Sequence, residues 1–408
     1  YEKSPLGRPE KQAMPGTEWQ LTGTHVQKME YALNTDGQVK RFRAVTVWNP
    51  TAGIYDVSLL SGADDAYTSG GYYKAGTLFK TVSKDEDGNE SQIFTNSRGV
   101  KIMLRQINTK IDGSSENLDT YYVYDDTGNI SFIIPPKAAV SGTLAQIQAV
   151  LNTLCYQYKY DQYYRLVEKK VPGKDWEYFV FDKQNRQVLG QDGNLRTTTN
   201  NFGQKGWMFT KYDAFGRSLY YGFFSSTASR ADIQATLNNI SVNVLNNEKS
   251  SNSPFTQNNL NIYYTQEAFP NGSLTVLKVN YYDEYPAGVP DRPQQIQGSN
   301  TLAAVPSNIT VNGLSSVRST KILPTASITR NIENEKWTSS VLWYDTLGRV
   351  IGTYEGNHLG GFTRTEALLD FSGKTKESYT FHSKNTSNTQ ITVKDRFVYS
   401  PQNFLLKH

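Results

Sequence analysis

A short recurring pattern limits what this chain can fold into: an aromatic residue, Asp, two variable residues, Gly and Arg. The stretch KYDAFGRSLYYG carries a full copy, and WYDTLGRVIGTY carries a second. VYDDTGNISF, KYDQYYRLVE and VFDKQNRQVLG are further copies that have Asn or Tyr at a Gly or Arg position. The residues of the five copies are Tyr124, Asp125 and Gly128; Tyr160, Asp161 and Arg165; Phe181, Asp182 and Arg186; Tyr212, Asp213, Gly216 and Arg217; and Tyr344, Asp345, Gly348 and Arg349.

The chemistry of the pattern predicts a tight β-hairpin turn. The Asp carboxylate can accept backbone N–H groups of the following residues, and Gly can adopt the left-handed conformation that closes the loop. The flanking stretches KWTSSVLWY and RVIGTY have the β-branched and aromatic content of strands. We therefore interpret these residues as structural turn residues, and expect Asp213→Asn to be nearly harmless because an amide oxygen can still cap the turn.

Weaker copies extend the pattern towards both ends of the chain. They begin at Asp370, Asp85, Asn34, Ser4 and Ser400, where Asn or Ser can replace Asp as the capping side chain. Spacings between successive copies run from 21 residues, Asp161 to Asp182, to 36 residues, Asp125 to Asp161. Periods of this size indicate a repeat array.

A longer match relates two modules. Counted from Ser4 and from Asp161, the same residue types recur at the same offsets. The matched pairs are Arg8 and Arg165, Pro15 and Pro172, Gly16 and Gly173, Glu18 and Asp175, and Trp19 and Trp176. Each module is thus predicted to be a hairpin, a Pro-Gly turn and a strand opened by Trp.

Composition excludes several classes of protein. The 42 Lys and Arg residues nearly balance 38 Asp and Glu residues and are scattered along the chain, which argues against a nucleic-acid partner. Cys155 is the single cysteine, so no disulfide framework can form, and we expect it to be a buried small hydrophobe. No apolar run is long enough for a membrane span. The chain begins and ends inside repeat-like modules, which predicts that it is a piece of a longer polypeptide.

Four regions follow from the distribution of the copies. Residues 1–120 form a degenerate N-terminal repeat region, 121–222 a repeat array, 223–336 an insertion rich in Asn, Ser and Pro with strands, and 337–408 a second array that continues beyond the fragment. Helical spacing of apolar residues, behind a start at Ser141 and Gly142, predicts one short helix near 142–154. A second is predicted near 229–238.

The repeated YDxxGR hairpins in a Tyr-rich chain resemble the YD-repeat, or RHS-repeat, family. The strings LCYQYKYDQYYRLVEKKVPGKDWEYFVFDKQNRQVLGQD, VNYYDEY and GNHLGGFTRTEALLDFSGK look like the version found in Bacteroidetes. The resemblance implies an all-β fold, in which antiparallel hairpins form a curved or spiral sheet, part of a hollow shell, with a few short helices. It also implies export by type IX secretion, and in some members a C-terminal toxin inside the shell. The Asp-Pro self-cleavage motif of such shells does not occur in this sequence.

The sequence contains few candidates for a catalytic or metal-binding site. The repeated Asp residues could be catalytic carboxylates, but each copy offers the same single acid, so turn capping is the favoured interpretation. The stretch DEDGNES has the oxygen density of a calcium loop without the EF-hand spacing. The four His residues lack metal-ligand spacing, and no nucleophile motif occurs. We therefore expect no catalytic, metal or cofactor site.

The sequence is compatible with three functions, of which the third has the least support. The favoured hypothesis is a non-enzymatic, secreted or cell-surface scaffold that encloses or displays another segment of its own polypeptide, with that polypeptide and secretion machinery as partners. The alternative is a surface adhesin or glycan-binding repeat protein, because Tyr and Trp on open sheet faces can stack on sugars, although they also form cross-strand pairs. A hydrolase within 223–336 is the third.

Overall fold

A computed structural model describes residues 1–16, 19–23, 25–140, 142–311 and 314–408. The fold is predominantly antiparallel β-sheet with short helices, as the sequence predicts. Strands to residue 191 are β1 (Lys11–Gln12), β2 (Gln27–Leu33), β3 (Phe42–Asn49), β4 (Ile54–Ser61), β5 (Thr68–Ser69), β6 (Tyr72–Tyr73), β7 (Phe79–Lys84), β8 (Glu90–Thr95), β9 (Lys101–Thr109), β10 (Ser115–Tyr124), β11 (Ile130–Ile134), β12 (Tyr156–Tyr160), β13 (Leu166–Lys170), β14 (Glu177–Phe181) and β15 (Gln187–Gln191).

The remaining elements follow in chain order. Strands are β16 (Gly206–Tyr212), β17 (Ser218–Ser225), β18 (Ser250–Gln257), β19 (Leu260–Tyr264), β20 (Leu274–Tyr282), β21 (Gln295–Ile296), β22 (Ser299–Asn300), β23 (Ser307–Val311), β24 (Leu314–Arg318), β25 (Pro324–Arg330), β26 (Trp337–Tyr344), β27 (Val350–Gly356), β28 (Gly360–Leu369), β29 (Thr375–Asn385), β30 (Ile391–Arg396), β31 (Val398–Tyr399) and β32 (Leu405–Lys407). Helices are α1 (Pro136–Ala139), α2 (Leu144–Ala149), α3 (Leu151–Leu154) and α4 (Arg230–Asn238).

The chain divides into two compact units. The first comprises Tyr1–Phe179, Asp192–Asn194 and Ser229–Ala231, and the second Val180–Gln191, Leu195–Ala228 and Asp232–His408. Among the described residues, 20 strands belong to one large sheet in which each strand pairs antiparallel with its neighbours. In the first unit the order of pairing is β1-β2-β7-β8-β9-β10-β11-β12-β13-β14. In the second unit it is β15-β16-β17-β20-β25-β26-β27-β28-β29-β30. The sheet is thus a meander of local hairpins.

The region 223–336 contributes to this meander. Its strands β20 and β25 pair with each other and with the repeat strands β17 and β26, while β18–β19, β21–β22 and β23–β24 form separate small hairpins. The four-part division of the chain stays a prediction.

The helices form close to where apolar spacing predicts them. The stretch 142–154 contains α2 and α3 rather than one helix, because Val150 leaves the helical conformation with φ −107° and ψ 5°. Thr143 caps α2 and exchanges hydrogen bonds with Gln146 in a capping box, whereas Ser141 lies outside the described residues. The α4 helix agrees with its predicted position, and α1, which has Pro near its first turn, was not predicted.

Each unit has its own buried core. In the first unit, Phe94, Met103, Phe132 and Ile147 pack with Cys155, and this burial raises the pKa of the Cys155 thiol to about 11. A raised pKa keeps the thiol protonated and unreactive. In the second unit the core is aromatic. It includes Trp207, Phe209, Tyr220, Phe223, Tyr264, Tyr281 and Trp343.

A fully buried ion pair lies in the core of the second unit. Lys211 on β16 donates to Glu248 Oε1 at 2.8 Å, and both side chains have no solvent exposure. Glu248 also accepts from the Tyr220 hydroxyl at 3.0 Å and from the backbone N–H groups of Glu267 and Ala268 at 2.9 and 3.1 Å. This network attaches the segment around 248–268 to the face of β16 and β17.

Two of the weaker sequence matches do not form the predicted structures. Asn34 does not cap a hairpin; its buried side chain accepts from Leu78 N–H and donates to the Lys74 carbonyl, because β2 pairs with β7. Trp19 does not open a strand, since β2 begins at Gln27, whereas its counterpart Trp176 directly precedes β14. Glu18, the acid of the first module, lies outside the described residues.

Candidate functional site

The five aspartates of the repeat pattern lie in turns of one geometry. In the best copy, Asp213 Oδ1 accepts the N–H groups of Phe215 and Arg217, each at 2.9 Å. Gly216 N–H donates to the Asp213 carbonyl at 3.1 Å, and Asp213 N–H donates to the Arg217 carbonyl at 3.0 Å. The same bonds recur at the other four aspartates. Because these bonds close within five residues, the turn is specified locally.

The fourth residue of every turn has a left-handed backbone conformation. Gly128, Gly216 and Gly348 have φ of +90°, +78° and +80°. The corresponding residues in the other two turns are Tyr164 at +58° and Asn185 at +60°. A side chain at such a φ is strained, least so for Asn, so Tyr164 stands out in this series.

The arginine of the pattern is paired with the aspartate of its own turn. Arg Nε donates to the second carboxylate oxygen of Asp161, Asp182, Asp213 and Asp345 at 2.6 to 2.8 Å. Asp283, which receives a bidentate pair from Arg217 at 3.0 and 2.8 Å, has its pKa lowered by that pair. In these four turns, one carboxylate oxygen accepts backbone N–H groups and the other accepts from the arginine.

Two of these arginines reach the next turn along the sheet. Arg186 donates to the Asp213 carbonyl at 2.9 Å and lies 4.9 Å from the Tyr212 ring centroid. Arg349 donates to the Asp370 carbonyl at 3.2 Å. The last weaker copy is linked in a similar way, because Lys374 donates to the Asn403 carbonyl at 2.6 Å. In these three turns the fifth residue thus holds the backbone of the following turn.

Tyrosines of the pattern bond in the opposite direction. Tyr160 donates its hydroxyl to the Ile130 carbonyl, and Tyr212 donates to the Gln187 carbonyl, both at 2.8 Å. In each case the acceptor lies five residues after the aspartate of the preceding turn. Tyr344 donates to the Pro324 carbonyl at 2.6 Å, and Phe181 has no hydroxyl to donate. We call this bonding between neighbouring turns the turn clamp; between the Asp182 and Asp213 turns it runs in both directions.

Two further residues that fit the turn pattern were not identified from the sequence. Asn357 caps a turn of the same type, with its Oδ1 accepting from Leu359 and Gly361 N–H groups at 2.9 Å. The signal was Asn followed three residues later by Gly360, which has φ +83°. The Tyr282–Asp283 pair also follows the pattern, although Asp283 accepts from Arg217 and does not cap a hairpin.

The acidic stretch DEDGNES is a turn of this kind. Asp85 Oδ1 accepts from the N–H groups of Asp87 and Asn89 at 3.0 and 2.8 Å. Across the described ranges, the structure places no three His, Cys, Asp or Glu side chains together in a way that could hold a metal ion. Asp85 therefore caps its turn with the same backbone bonds as the repeat aspartates, with Asn89 rather than Arg bonded to its second oxygen.

The turn glycines give a direct test of the geometry. A side chain at Gly216 would meet nothing within 4 Å, so the cost of a substitution there is backbone strain rather than a clash. Gly216→Val should lower the free energy of unfolding by about 1–2 kcal/mol, measured by denaturant titration. Phe215→Ala is the matched control, since Phe215 is exposed in the same turn, and it should have little effect.

The capping aspartate should be more sensitive than the sequence indicates. Because Asp213 Oδ2 accepts from Arg217 Nε at 2.6 Å, Asp213→Asn loses an ion pair even though an amide oxygen can still cap the turn. We therefore expect Asp213→Asn to destabilise the turn, contrary to the expectation from the sequence alone.

No protein-family model matches this chain, and no curated protein matches it. Solved structures with a similar arrangement of strands include the crystal structure of TcdB2-TccC3-Cdc42, 12% identical over 81% of this chain and 14% of that chain, with a TM-score of 0.39. The crystal structure of TcdB2-TccC3 is 11% identical over 93% of this chain and 20% of that chain, with a TM-score of 0.39. The Photorhabdus luminescens Tc holotoxin pore is 10% identical over 81% and 14%, with a TM-score of 0.40. This chain spans a fifth or less of the length of those chains.

None of the helices in the described parts of the chain has the length and apolar character needed to cross a membrane.

Proposed function

We propose that this chain is a non-enzymatic scaffold of the YD-repeat type, secreted or displayed at the cell surface, which encloses or displays another segment of its own polypeptide. Its partner is the remainder of that polypeptide, including a C-terminal toxin segment where one is present. The resemblance to Bacteroidetes sequences favours export by type IX secretion machinery.

The observation that carries this proposal is the use made of the repeat residues. Asp161, Asp182, Asp213 and Asp345 each accept two backbone N–H groups and one Arg Nε, so the polar atoms of the pattern hold turns. A catalytic pair needs two different acids that converge on a substrate, whereas these acids lie in successive turns. A row of clamped turns gives the hairpins the fixed relative positions that a containing wall requires.

Limited proteolysis of the natural polypeptide that contains this chain tests the containment role. If the array encloses or positions another segment, disrupting the turn clamp with Arg186→Met should change the rate at which trypsin cuts that segment. Phe215→Ala, which alters an exposed turn residue outside the clamp, should leave the cutting rate as in the parent. Equal cutting in the parent and in Arg186→Met, with the array shown by circular dichroism to be perturbed, would rule out containment.

A further inference from the structure

Tyr164 occupies a position where the other turns have Gly or Asn. Its φ of +58° is a conformation that a large side chain adopts at a cost, and its side chain remains 51% exposed. Local turn chemistry therefore gives no reason for tyrosine here. Residues that break a local rule in this way are frequently functional.

The ring of Tyr164 belongs to an aromatic cluster of the first unit. Tyr55 lies with its centroid 6.3 Å from that of Tyr164 and with the two rings within 6° of parallel. Trp48, the cross-strand partner of Tyr55 at the turn end of the β3–β4 hairpin, contacts it edge-on with centroids 5.1 Å apart. The neighbouring Tyr163 is not part of this cluster, because its ring lies against the Arg165 guanidinium, 4.9 Å from the ring centroid. We call Trp48, Tyr55 and Tyr164 the aromatic surface.

The aromatic surface is open to solvent, and its polar groups are free to bond to a ligand. Trp48 is 38% exposed, Tyr164 is 51% exposed and Tyr55 is partly exposed. Within the described ranges, the hydroxyls of Tyr55 and Tyr164 and the indole N–H of Trp48 have no hydrogen-bond partner. Water bonds to such exposed groups and can be exchanged for a ligand, so this cluster offers both apolar ring faces and hydrogen-bond donors.

The charged side chains nearest to the cluster in sequence are paired. Asp56 follows Tyr55 in β4 and so points to the other face of the strand; it is half exposed and accepts from Asn49 Nδ2 at 2.8 Å. Lys159 lies 3.5 Å from Asp56, and Arg165 is paired with Asp161, so the cations beside the rings are already neutralised. An anionic ligand such as a nucleic acid would instead need clustered, unpaired cations.

We propose that the aromatic surface binds a neutral oligosaccharide. A sugar ring has an apolar C–H face that can stack on Tyr and Trp, and hydroxyls that can bond to the free phenol and indole groups. An aliphatic protein partner would leave those donors unpaired on burial, which is unfavourable. This assignment is independent of the containment role.

Tyr164→Gly separates binding from folding. It removes a ring from the surface and restores the residue that the turn favours, so the melting temperature should rise by about 2 °C. Binding of the parent to cellohexaose, chitohexaose and maltohexaose is measured by isothermal titration calorimetry and Trp fluorescence. At least one should bind the parent, and Tyr164→Gly should bind it roughly tenfold more weakly.

Asn185→Gly is the control, because it introduces glycine at the same position of another turn, also at positive φ, without removing a ring. It should raise the melting temperature and leave binding unchanged. A second variant, Trp48→Ala, should weaken binding by at least the same factor as Tyr164→Gly. The assignment is wrong if none of the three oligosaccharides binds the parent, or if Tyr164→Gly binds as the parent does. A lower melting temperature for Tyr164→Gly with unchanged binding would show that the ring is purely structural.

Discussion

Replacing Lys211 with methionine should lower the free energy of unfolding by about 3–5 kcal/mol, because it leaves Glu248 buried without its cation. Neither side chain of the pair is exposed to solvent, and Lys211 also donates to the Ala268 carbonyl at 2.7 Å. Burial lowers the pKa of Lys211, whereas the neighbouring Glu248 carboxylate favours the charged ammonium. Denaturant-induced unfolding, followed by Trp fluorescence, measures the loss.

A double-mutant cycle isolates the pair. We expect the double variant Lys211→Met/Glu248→Gln to lose less free energy of unfolding than the two single variants lose in sum. In the double variant a neutral amide stands where Lys211→Met alone leaves a buried, unpaired carboxylate. Lys205→Met serves as the control for loss of a positive charge, because Lys205 is exposed just before β16, and it should be nearly neutral. A cost below about 1 kcal/mol for Lys211→Met would contradict the expectation.

Loss of the turn clamp should be most costly where its arginine is most buried. Arg186→Met should lower the free energy of unfolding by about 3 kcal/mol, because the Arg186 side chain is 12% exposed and the Asp182 side chain is fully buried. Arg186 also donates to the carbonyls of Asp213 and Leu245, each at 2.9 Å, so two neighbouring segments lose a partner.

Arg349→Met is the matched comparison, with the same position in the pattern and the same bond to its own aspartate. Its side chain is 32% exposed, so water can replace much of what is lost, and we expect a cost of about 1 kcal/mol. Chemical denaturation of both variants shows which of them loses more free energy of unfolding. Equal costs, or a larger cost for Arg349→Met, would show that the clamp does not depend on burial.

The turn residues were predictable because their bonds are local. Asp213 caps N–H groups two and four residues later, and Gly216 closes the loop between them, so residue type and spacing were sufficient. The second role of Arg186 was not predictable, since Asp213 is 27 residues away and comes within reach through the pairing of the intervening strands. Asn34 shows the opposite case, where strand pairing with β7 overrode a turn-like sequence.

The sequence by itself determined the hairpin turns, the antiparallel β class and the positions of α2 to α4, because these depend on hydrogen bonds and apolar spacing within a few residues. Only the tertiary structure decided which distant side chains contact each other. Lys211 contacts Glu248, 37 residues away, and Tyr164 contacts Tyr55, more than a hundred residues away. Neither contact can be recognised from the residues around it in the sequence. The physical reason is that these contacts join loop and strand residues far apart in the chain, and which of them meet depends on how the intervening elements pack against one another.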